Sequence, residues 1–317
     1  MTNFTVNSRN SALKIIVCYH KPYTVPPLDD GILLPVQTGK SISDVSLNIQ
    51  ADNEINGQPC DNISSKNEGY SELTAMYWAW KNLKKLYPDV KYVGLYHYRR
   101  FFALRNTYFS CEFDVPESDI ENYRVDSQKV IKILESGKII LPEQMTFPFS
   151  VSTQYCVCHV SDDYRTIKES IKTKFPDYYD DFLRVMEFSN KCFFYNIFIM
   201  KYEDFTKYCE WLFPVLFEIE AAVNTQHYST YQKRVPAFIA ERLFNVYIRK
   251  NNIKPAYFPI LKYDCNAEHK DALTRLKQFI RRIRTDFRYS LLFTIYMATP
   301  GCVGRFIKKI IRKLFKR

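Results

Sequence analysis

The chain has 317 residues, enough for one large domain or two moderate ones with a sizeable core. Aromatic residues make up 16% of it against only 8 glycines, which excludes a disordered or fibrous chain. The net charge of +11 would point to a nucleic-acid binder, but residues 268–317 hold 14 Lys/Arg against 3 Asp/Glu and so carry the whole excess above a neutral body.

The nine cysteines are scattered and form no CxxC pair. Cys156 and Cys158 are two residues apart and are read as part of one strand. Neither a disulfide framework nor a zinc site is expected, and reduced thiols imply a reducing compartment. The opening MTNFTVNSRNSA lacks the apolar core of a signal peptide, and no apolar run of about 18 residues predicts a membrane span.

Lys14–Tyr19 (KIIVCY) is nearly all apolar, as a strand buried on both faces would be, and it ends in His20-Lys21-Pro22. Those two groups stand either at the ligand edge of a sheet or in an ordinary polar turn. Residues 22–60 hold Pro22, Pro26, Pro27 and Pro35 and read as a long ordered loop with one strand, Ile32–Val36. A loop of that length usually forms or covers a site.

Residues 60–102 are the most informative stretch. Asn62 or Ser64 can cap a helix, Glu72 falls in its first turn, and Leu73, Met76, Tyr77 and Trp80 recur as one buried face. Tyr87-Pro88-Asp89 ends that helix. Lys91–Tyr96 then reads as a strand running into His97-Tyr98-Arg99-Arg100-Phe101-Phe102.

Further on, Gln128–Glu135 predicts a short helix and Lys138–Pro142 a strand, while residues 143–160, with Gln154, Tyr155 and His159, read as loop and strand. Ser161-Asp162-Asp163 is expected to cap a helix through Ile167 and Ile171, and Asp180–Phe188 is helical by pattern. Phe193–Met200 reads as a strand with Asn196 as its one polar residue. Tyr202–Ala222 is an amphipathic helix that Pro214 should kink. A second helix within Gln232–Lys250 carries Glu241 and Arg242 between apolar positions, and Ala256–Leu261 predicts a last edge strand. Strands alternating with helices predict an α/β domain with a mostly parallel sheet.

The end of the chain is different. Lys270–Arg288 is a basic helical pattern with Leu273, Leu276, Phe279, Ile280 and Ile283 on one side, and Tyr289–Ala298 is apolar but too short to span. Arg305–Arg317 separates Phe306, Ile307, Ile310, Ile311, Leu314 and Phe315 from its cations. A basic amphipathic helix of this kind lies in the interface of an anionic membrane. Docking on the body and binding nucleic acid are the alternatives. Nucleic acid would call for cations interleaved with exposed aromatics on the body itself, so no such partner is expected.

On a strand, His97 and Arg99 share a face and Arg100 takes the other. Cations at a sheet's ligand edge suit a diphosphate, which arginine binds as a fork, and can stabilise a leaving nucleoside diphosphate without a metal. Alternatively these arginines pair with Glu72 or another carboxylate. The loop to Glu72 offers Ser64, Ser65, Lys66 and Asn67 to a ribose or base. Walker, dinucleotide and serine-hydrolase motifs are absent, and the acidic pairs 29–30, 162–163 and 180–181 suit caps or solvent better than a metal. Glu241 is either paired with Arg242 or Arg234, or aimed into a cleft as a general base.

Taken together, six segments resemble a family of bacterial capsular and exopolysaccharide biosynthesis proteins, filed as a domain of unknown function and regarded as glycosyltransferases. They are VCYHKPY at 17–23, DNISSKNEGYSELTAMYWAWKN at 61–82, YVGLYHYRRFF at 92–102, IILP at 139–142, YNIFIMKYEDFTKYCEWLFPVLFEIE at 195–220 and RVPAFIAERLFNVYI at 234–248. They follow the family's order over residues 13–262 and leave the basic tail outside.

The resemblance implies a GT-A-like fold, a Rossmann-type sheet that binds a nucleotide-sugar at its carboxyl edge. This domain would occupy 13–265 and a membrane-association tail 268–317. His97-Tyr98-Arg99 looks to stand where such folds place an Asp-x-Asp metal motif, so no metal ligand is named, no cofactor is assigned, and a requirement for manganese or magnesium stays open. His20, Lys21, Asn62, Ser65, Lys66, Asn67 and Glu72 would hold the nucleotide. His97, Arg99 and Arg100 would hold the diphosphate, with Arg99 acting on the leaving group. Asn196, Gln154, His159 and Arg242 would face the acceptor, and Glu241 would be the base. The expected protein sits peripherally on the cytoplasmic face of a bacterial membrane and moves a sugar, best a UDP-hexose, to a lipid-linked oligosaccharide. The alternative is a non-catalytic membrane-bound assembly protein that keeps the fold.

Overall fold

The structure, a computed structural model, describes residues 12–23, 31–104, 112–264, 266–267 and 272–298. In chain order its strands are β1 (Leu13–Tyr19), β2 (Leu33–Gln37), β3 (Gln50–Ala51), β4 (Glu54–Ile55), β5 (Gln58–Pro59), β6 (Tyr92–His97) and β7 (Arg100–Phe102). There follow β8 (Glu112–Val115), β9 (Lys138–Pro142), β10 (Met145–Thr146), β11 (Lys191–Cys192), β12 (Phe198–Lys201), β13 (Lys254–Phe258) and β14 (Ile260–Tyr263). The helices are α1 (Asn67–Tyr70), α2 (Leu73–Leu86), α3 (Ser127–Glu135), α4 (Val151–Cys158) and α5 (Ser161–Lys174). They continue with α6 (Tyr179–Met186), α7 (Tyr202–Ala222), α8 (Val235–Lys250) and α9 (Ala272–Ala298).

The chain divides into two compact units, one of Met1–Glu143, Asn196–Phe213 and Lys254–Lys270, the other of Gln144–Tyr195, Pro214–Ile253 and Asp271–Arg317. The first holds the main sheet, ordered β13-β9-β12-β6-β1-β2-β3. The neighbours β1–β2, β1–β6, β2–β3 and β9–β13 are parallel, whereas β12 runs antiparallel to both β6 and β9. The fold class is therefore mixed α/β with a mostly parallel sheet flanked by helices. All seven residues of β1 are buried, as its unbroken apolar run requires. Gly94 lets β6 lie between its neighbours, because a Cβ there would sit 3.0 Å from the Phe198 carbonyl oxygen and 3.1 Å from Ile15. Beyond β6, the short β7 pairs antiparallel with β6 and β14, and β8 runs parallel to β14.

Several expectations change. The helix after Asn62 is split: α1 ends at Ser71, whose φ of 50° breaks the helix, and Glu72 stands just before α2 rather than inside its first turn. Trp78, not Trp80, is the fully buried tryptophan of α2, while Trp80 stacks on Phe213 at 5.6 Å. Residues 151–158 are helical, because Ser150 caps α4 by accepting from the Thr153 amide, so Cys156 and Cys158 do not lie on a strand. At α5 the capping position is Val160, and Ser161 to Asp163 form the first turn instead. The expected strand at 193–200 begins only at Phe198, since Tyr195 and Asn196 have φ of 80° and 52°. The last expected strand is two, β13 and β14, parted at Pro259.

In the second unit α8 is buried on almost every side, and α6 packs against it, with Arg249 paired to Asp181. The helix α9 is continuous over both the basic and the apolar stretch and packs on β10. Among the described residues no helix is long and apolar enough to cross a membrane. The amphipathic pattern at 305–317 lies outside the described residues. The described cysteines, Cys18, Cys60, Cys156, Cys158, Cys192 and Cys209, form no disulfide with one another.

Candidate functional site

In the first unit the carboxyl ends of β1, β2 and β6 share one edge, where open α/β sheets bind ligands. His20 and Lys21 follow β1 and are exposed there. Cys18 is in register with His97, and the Tyr98 amide donates to the Cys18 carbonyl at 3.0 Å. His97-Tyr98-Arg99-Arg100 is a hairpin rather than a continuing strand. Tyr98 and Arg99 form the turn, and His97 pairs with Arg100 across it. Directly opposed residues of an antiparallel pair share a face, so His97 stands with Arg100, and Arg99 occupies the exposed tip. This corrects the alternation expected of one strand.

The same register extends the row, because Arg100 lies opposite Lys262 of β14. Their common carboxylate is Glu112, 2.6 Å from Lys262 Nζ and 3.7 Å from Arg100 Nε. Of the two readings left open for the arginines, Arg100 thus has a carboxylate partner, but it is Glu112 and not Glu72. Burial, then the charges of Arg100 and Arg99, hold the Lys262 ammonium below its ordinary pKa. Arg99, Arg100 and Lys262 thus gather several cations at this edge, as an anion site requires. Tyr98 is its hub. Its ring lies 4.7 Å from that of Tyr23 and 5.2 Å from that of His20, with Lys21 Nζ at 5.7 Å and the Arg99 guanidinium at 5.6 Å. Tyr23 in turn donates to the Tyr263 carbonyl at 3.1 Å.

At the end of β2, Gly39 turns the chain with φ of 68°, and its amide donates to the buried Asp52 at 2.7 Å. Asp52 also accepts from the Lys40 amide and the Ser64 hydroxyl, while Ser64 accepts from the Ser41 amide at 3.0 Å. A Cβ on Gly39 would lie 2.6 Å from Asn67. These bonds tie the 62–67 loop to the sheet edge. Within it Asn62 closes a turn by accepting from the Ser64 amide, and Asn67 donates to Ser71 and Thr74. The two asparagines therefore build the loop, while Ser65 and Lys66 are its exposed groups.

Glu72 reaches the same edge. Its carbonyl accepts from the Cys18 thiol at 3.9 Å and its Oε1 from Asn196 Nδ2 at 2.8 Å. Burial, then the Glu72 and Asp52 carboxylates, keep the Cys18 thiol well above its ordinary pKa, so it is no nucleophile. Asn196 is 2% exposed, and its Oδ1 has no hydrogen-bond partner among the described residues. Asn196, expected with Gln154 on the acceptor side, is hydrogen-bonded to Glu72 within the first unit.

The other residues expected on the acceptor side meet in the second unit, around the buried Arg242. Its Nη1 donates to Glu241 at 2.8 Å and to the Phe238 carbonyl, and its Nη2 donates to Gln154 Oε1 at 2.8 Å. The guanidinium also lies 4.8 Å from the Phe194 ring. Glu241 accepts from the Tyr195 amide at 2.9 Å with its other oxygen, so the ion pair is formed and anchors a residue of φ 80°. A carboxylate offers about four lone-pair sites, and the Glu241 side chain keeps 18% exposure. His159 stacks on Phe238 at 3.9 Å. Burial, then the Arg242 charge, push its pKa down to about 3. It is a neutral ring at neutral pH.

Lys262, Glu112 and Asp52 were not legible as site residues. Lys262 and Glu112 meet Arg100 only through strand pairing, and Asp52 resembles any loop aspartate. Among the described residues no group of three or more His, Cys, Asp or Glu side chains is placed to hold a metal ion.

Comparison with known proteins agrees with this architecture. The apo structure of WbbM, a bifunctional glycosyltransferase, is similar with a TM-score of 0.69 and 27% identity. The likeness covers 83% of this chain and 48% of that one, so the chain spans about half the length of WbbM. No curated protein matches it. A model of the family described as "Domain of unknown function (DUF4422)" matches residues 14–252, most of the chain, and the protein belongs to that family.

Proposed function

We propose that this protein is a glycosyltransferase with a GT-A-like donor domain. It moves a sugar from a nucleoside-diphosphate sugar, in the first instance a UDP-hexose, to a lipid-linked oligosaccharide of bacterial capsule, exopolysaccharide or O-antigen assembly. The observation that carries this reading is the row His97, Arg100 and Lys262, with Arg99 and Lys21 beside it, at the carboxyl edge of the sheet. Family membership and the likeness to WbbM support the reaction class.

The diphosphate would lie against these cations, with Arg99 at the hairpin tip presenting its fork to two phosphate oxygens. As the bond from the anomeric carbon to the diphosphate oxygen breaks, charge grows on that oxygen, and cations already fixed in place stabilise it. His20 and Lys21 at the end of β1, with Ser65 and Lys66 on the loop, would take the nucleotide. Asn62 and Asn67 would hold that loop in shape. The buried Oδ1 of Asn196 would accept from a donor hydroxyl, while Glu72 orients the amide. Glu241 would take the acceptor hydroxyl's proton, and Gln154, His159 and Arg242 would support it. The protein would work peripherally on the cytoplasmic face of the membrane, where a lipid-linked acceptor resides, held there by residues 268–317.

The test is a thermal-shift screen of the purified protein against UDP, GDP, CDP and their sugars, first with EDTA and then with manganese. A ligand that binds only the folded state raises the melting temperature by mass action. A shift with one nucleotide, reduced in Arg99→Ala, is expected, and the two metal arms decide whether a divalent ion bridges the diphosphate. No shift with any nucleotide would overturn the proposal.

A further inference from the structure

Helix α9 has two unlike faces. It packs on β10, and Tyr296 is only 8% exposed. Its outer face carries Leu273, Leu276, Ile280, Ile283, Phe287 and Leu291, spaced by three and four residues and all exposed, Phe287 by 71%. That spacing makes one continuous stripe on a helix, about 27 Å long from end to end. Along one shoulder Lys277, Arg281, Arg284 and Arg288, with Ile280 and Thr285, line a shallow depression of about 410 Å³. From 272 to 298 the helix holds six Lys/Arg and one acid, Asp286, which is 3.5 Å from Arg282.

We propose that α9 is a membrane-docking helix that lies in the plane of an anionic bilayer, its stripe in the acyl boundary and its basic shoulder on lipid phosphates. The charge selects this occupant. A second copy of α9 would bring two strongly basic helices together, and like charges at such range repel. An anionic lipid surface accepts both features at once, the apolar stripe by burial and the shoulder by attraction. The helix is not apolar enough to span, so lying in the interface is the geometry open to it. This deepens the membrane part of the function proposed above, by naming the surface within residues 268–317, and rests on no donor-site or acceptor-side residue.

The test is co-sedimentation of the full chain with vesicles of phosphatidylcholine alone or with about one third phosphatidylglycerol. The full chain is expected to bind the anionic vesicles at least tenfold more tightly. Ile283→Ser with Phe287→Ser, and separately Arg281→Glu with Arg284→Glu and Arg288→Glu, should each weaken that binding tenfold or more. Because these side chains are exposed, the melting temperature and any nucleotide-induced shift should stay as in the unaltered protein, so lipid and donor binding can fail separately. Equal binding to both vesicles would overturn the proposal. So would variants that bind as the unaltered chain does, leaving the residues after 298 as the lipid contact. A dimer in sedimentation velocity that Phe287→Ser splits would instead assign the stripe to a second copy.

Discussion

Asn196 donates through its Nδ2 to Glu72 Oε1 across 2.8 Å, and it does so from a backbone with φ of 52°. Asparagine tolerates that left-handed region better than most side chains, and its amide also suits the carboxylate. Asn196→Gly keeps that backbone and should lose the hydrogen bond to the carboxylate, about 1.5–3 kcal/mol. Asn196→Ala should lose about 1–2 kcal/mol more because its Cβ is strained there. Urea unfolding of the two variants separates the terms, and equal losses would show that the backbone matters little.

Glu112 restrains the cation row, and its removal should act in opposite directions on the free and bound protein. Glu112→Gln leaves Arg100 and Lys262 without their shared carboxylate, so the melting temperature of the free protein should fall. The nucleotide-induced shift should grow in the same variant, because the anion no longer competes with the Glu112 carboxylate for these cations. Lys262→Met should shrink that shift. A Glu112→Gln protein with a smaller nucleotide shift would count against a diphosphate site at the row.

Glu241 is both a structural partner and the proposed base, and two substitutions divide the roles. Glu241→Ala leaves the Arg242 guanidinium buried without its carboxylate and should cost about 3–5 kcal/mol. Glu241→Gln can still accept from the Tyr195 amide and should fold with a smaller loss. If Glu241 is the base, this isosteric variant should transfer sugar 10²–10⁴-fold more slowly, roughly, with its nucleotide shift unchanged. Full transfer activity in Glu241→Gln would leave the ion pair as its whole role.

His159 makes stability depend on pH. Its folded pKa of about 3 lies below the ordinary histidine value of 6.5, so between those values the unfolded chain binds more protons. Stability should therefore be complete above about 6.5 and fall as the pH drops toward 3, by at most ~1.4 kcal/mol per pH unit. His159→Phe can keep the stack on Phe238 and removes the titration. Urea midpoints at pH 7 and pH 5 should differ less in that variant than in the unaltered protein, and an equal difference would place the slope elsewhere.

The Asp52 hub should be intolerant of change. Asp52→Ala strands the amides of Gly39 and Lys40 and the Ser64 hydroxyl inside the fold, a loss of roughly 3 kcal/mol or more. Gly39→Ala should also destabilise, because its φ is positive and its Cβ would strike Asn67. A melting temperature unchanged in both would mean that the 62–67 loop does not depend on this anchor.

Much of the fold was legible because burial writes itself into local pattern. The KIIVCY run is β1, the apolar run before His97 is β6, and KIILP is β9, since a strand covered on both faces must be apolar throughout. Local pattern failed where a backbone conformation outranked composition. The aromatic run at 193–197 looks like a strand, yet two residues of positive φ keep it from pairing. The VSTQYCVC stretch has strand-forming residues, yet a serine cap made it helical. At His97-Tyr98-Arg99-Arg100, a two-residue turn between like segments carries no glycine or asparagine to announce it, so the pairing of His97 with Arg100 was missed.

By itself the sequence determined the α/β class, the mostly parallel sheet, the neutral body with its basic end, and the kinship of residues 14–252. These depend on periodicity, net charge and short motifs, all of them local properties. Only the tertiary structure decided which charges stand together. Lys262 joins Arg100 across more than a hundred and fifty residues of chain because β14 pairs with β7, and Asn196 joins Glu72 because β12 brings its leading end to the carboxyl edge of β6. Strand register is a collective outcome of packing, and it is register that turned isolated ionisable residues into a site.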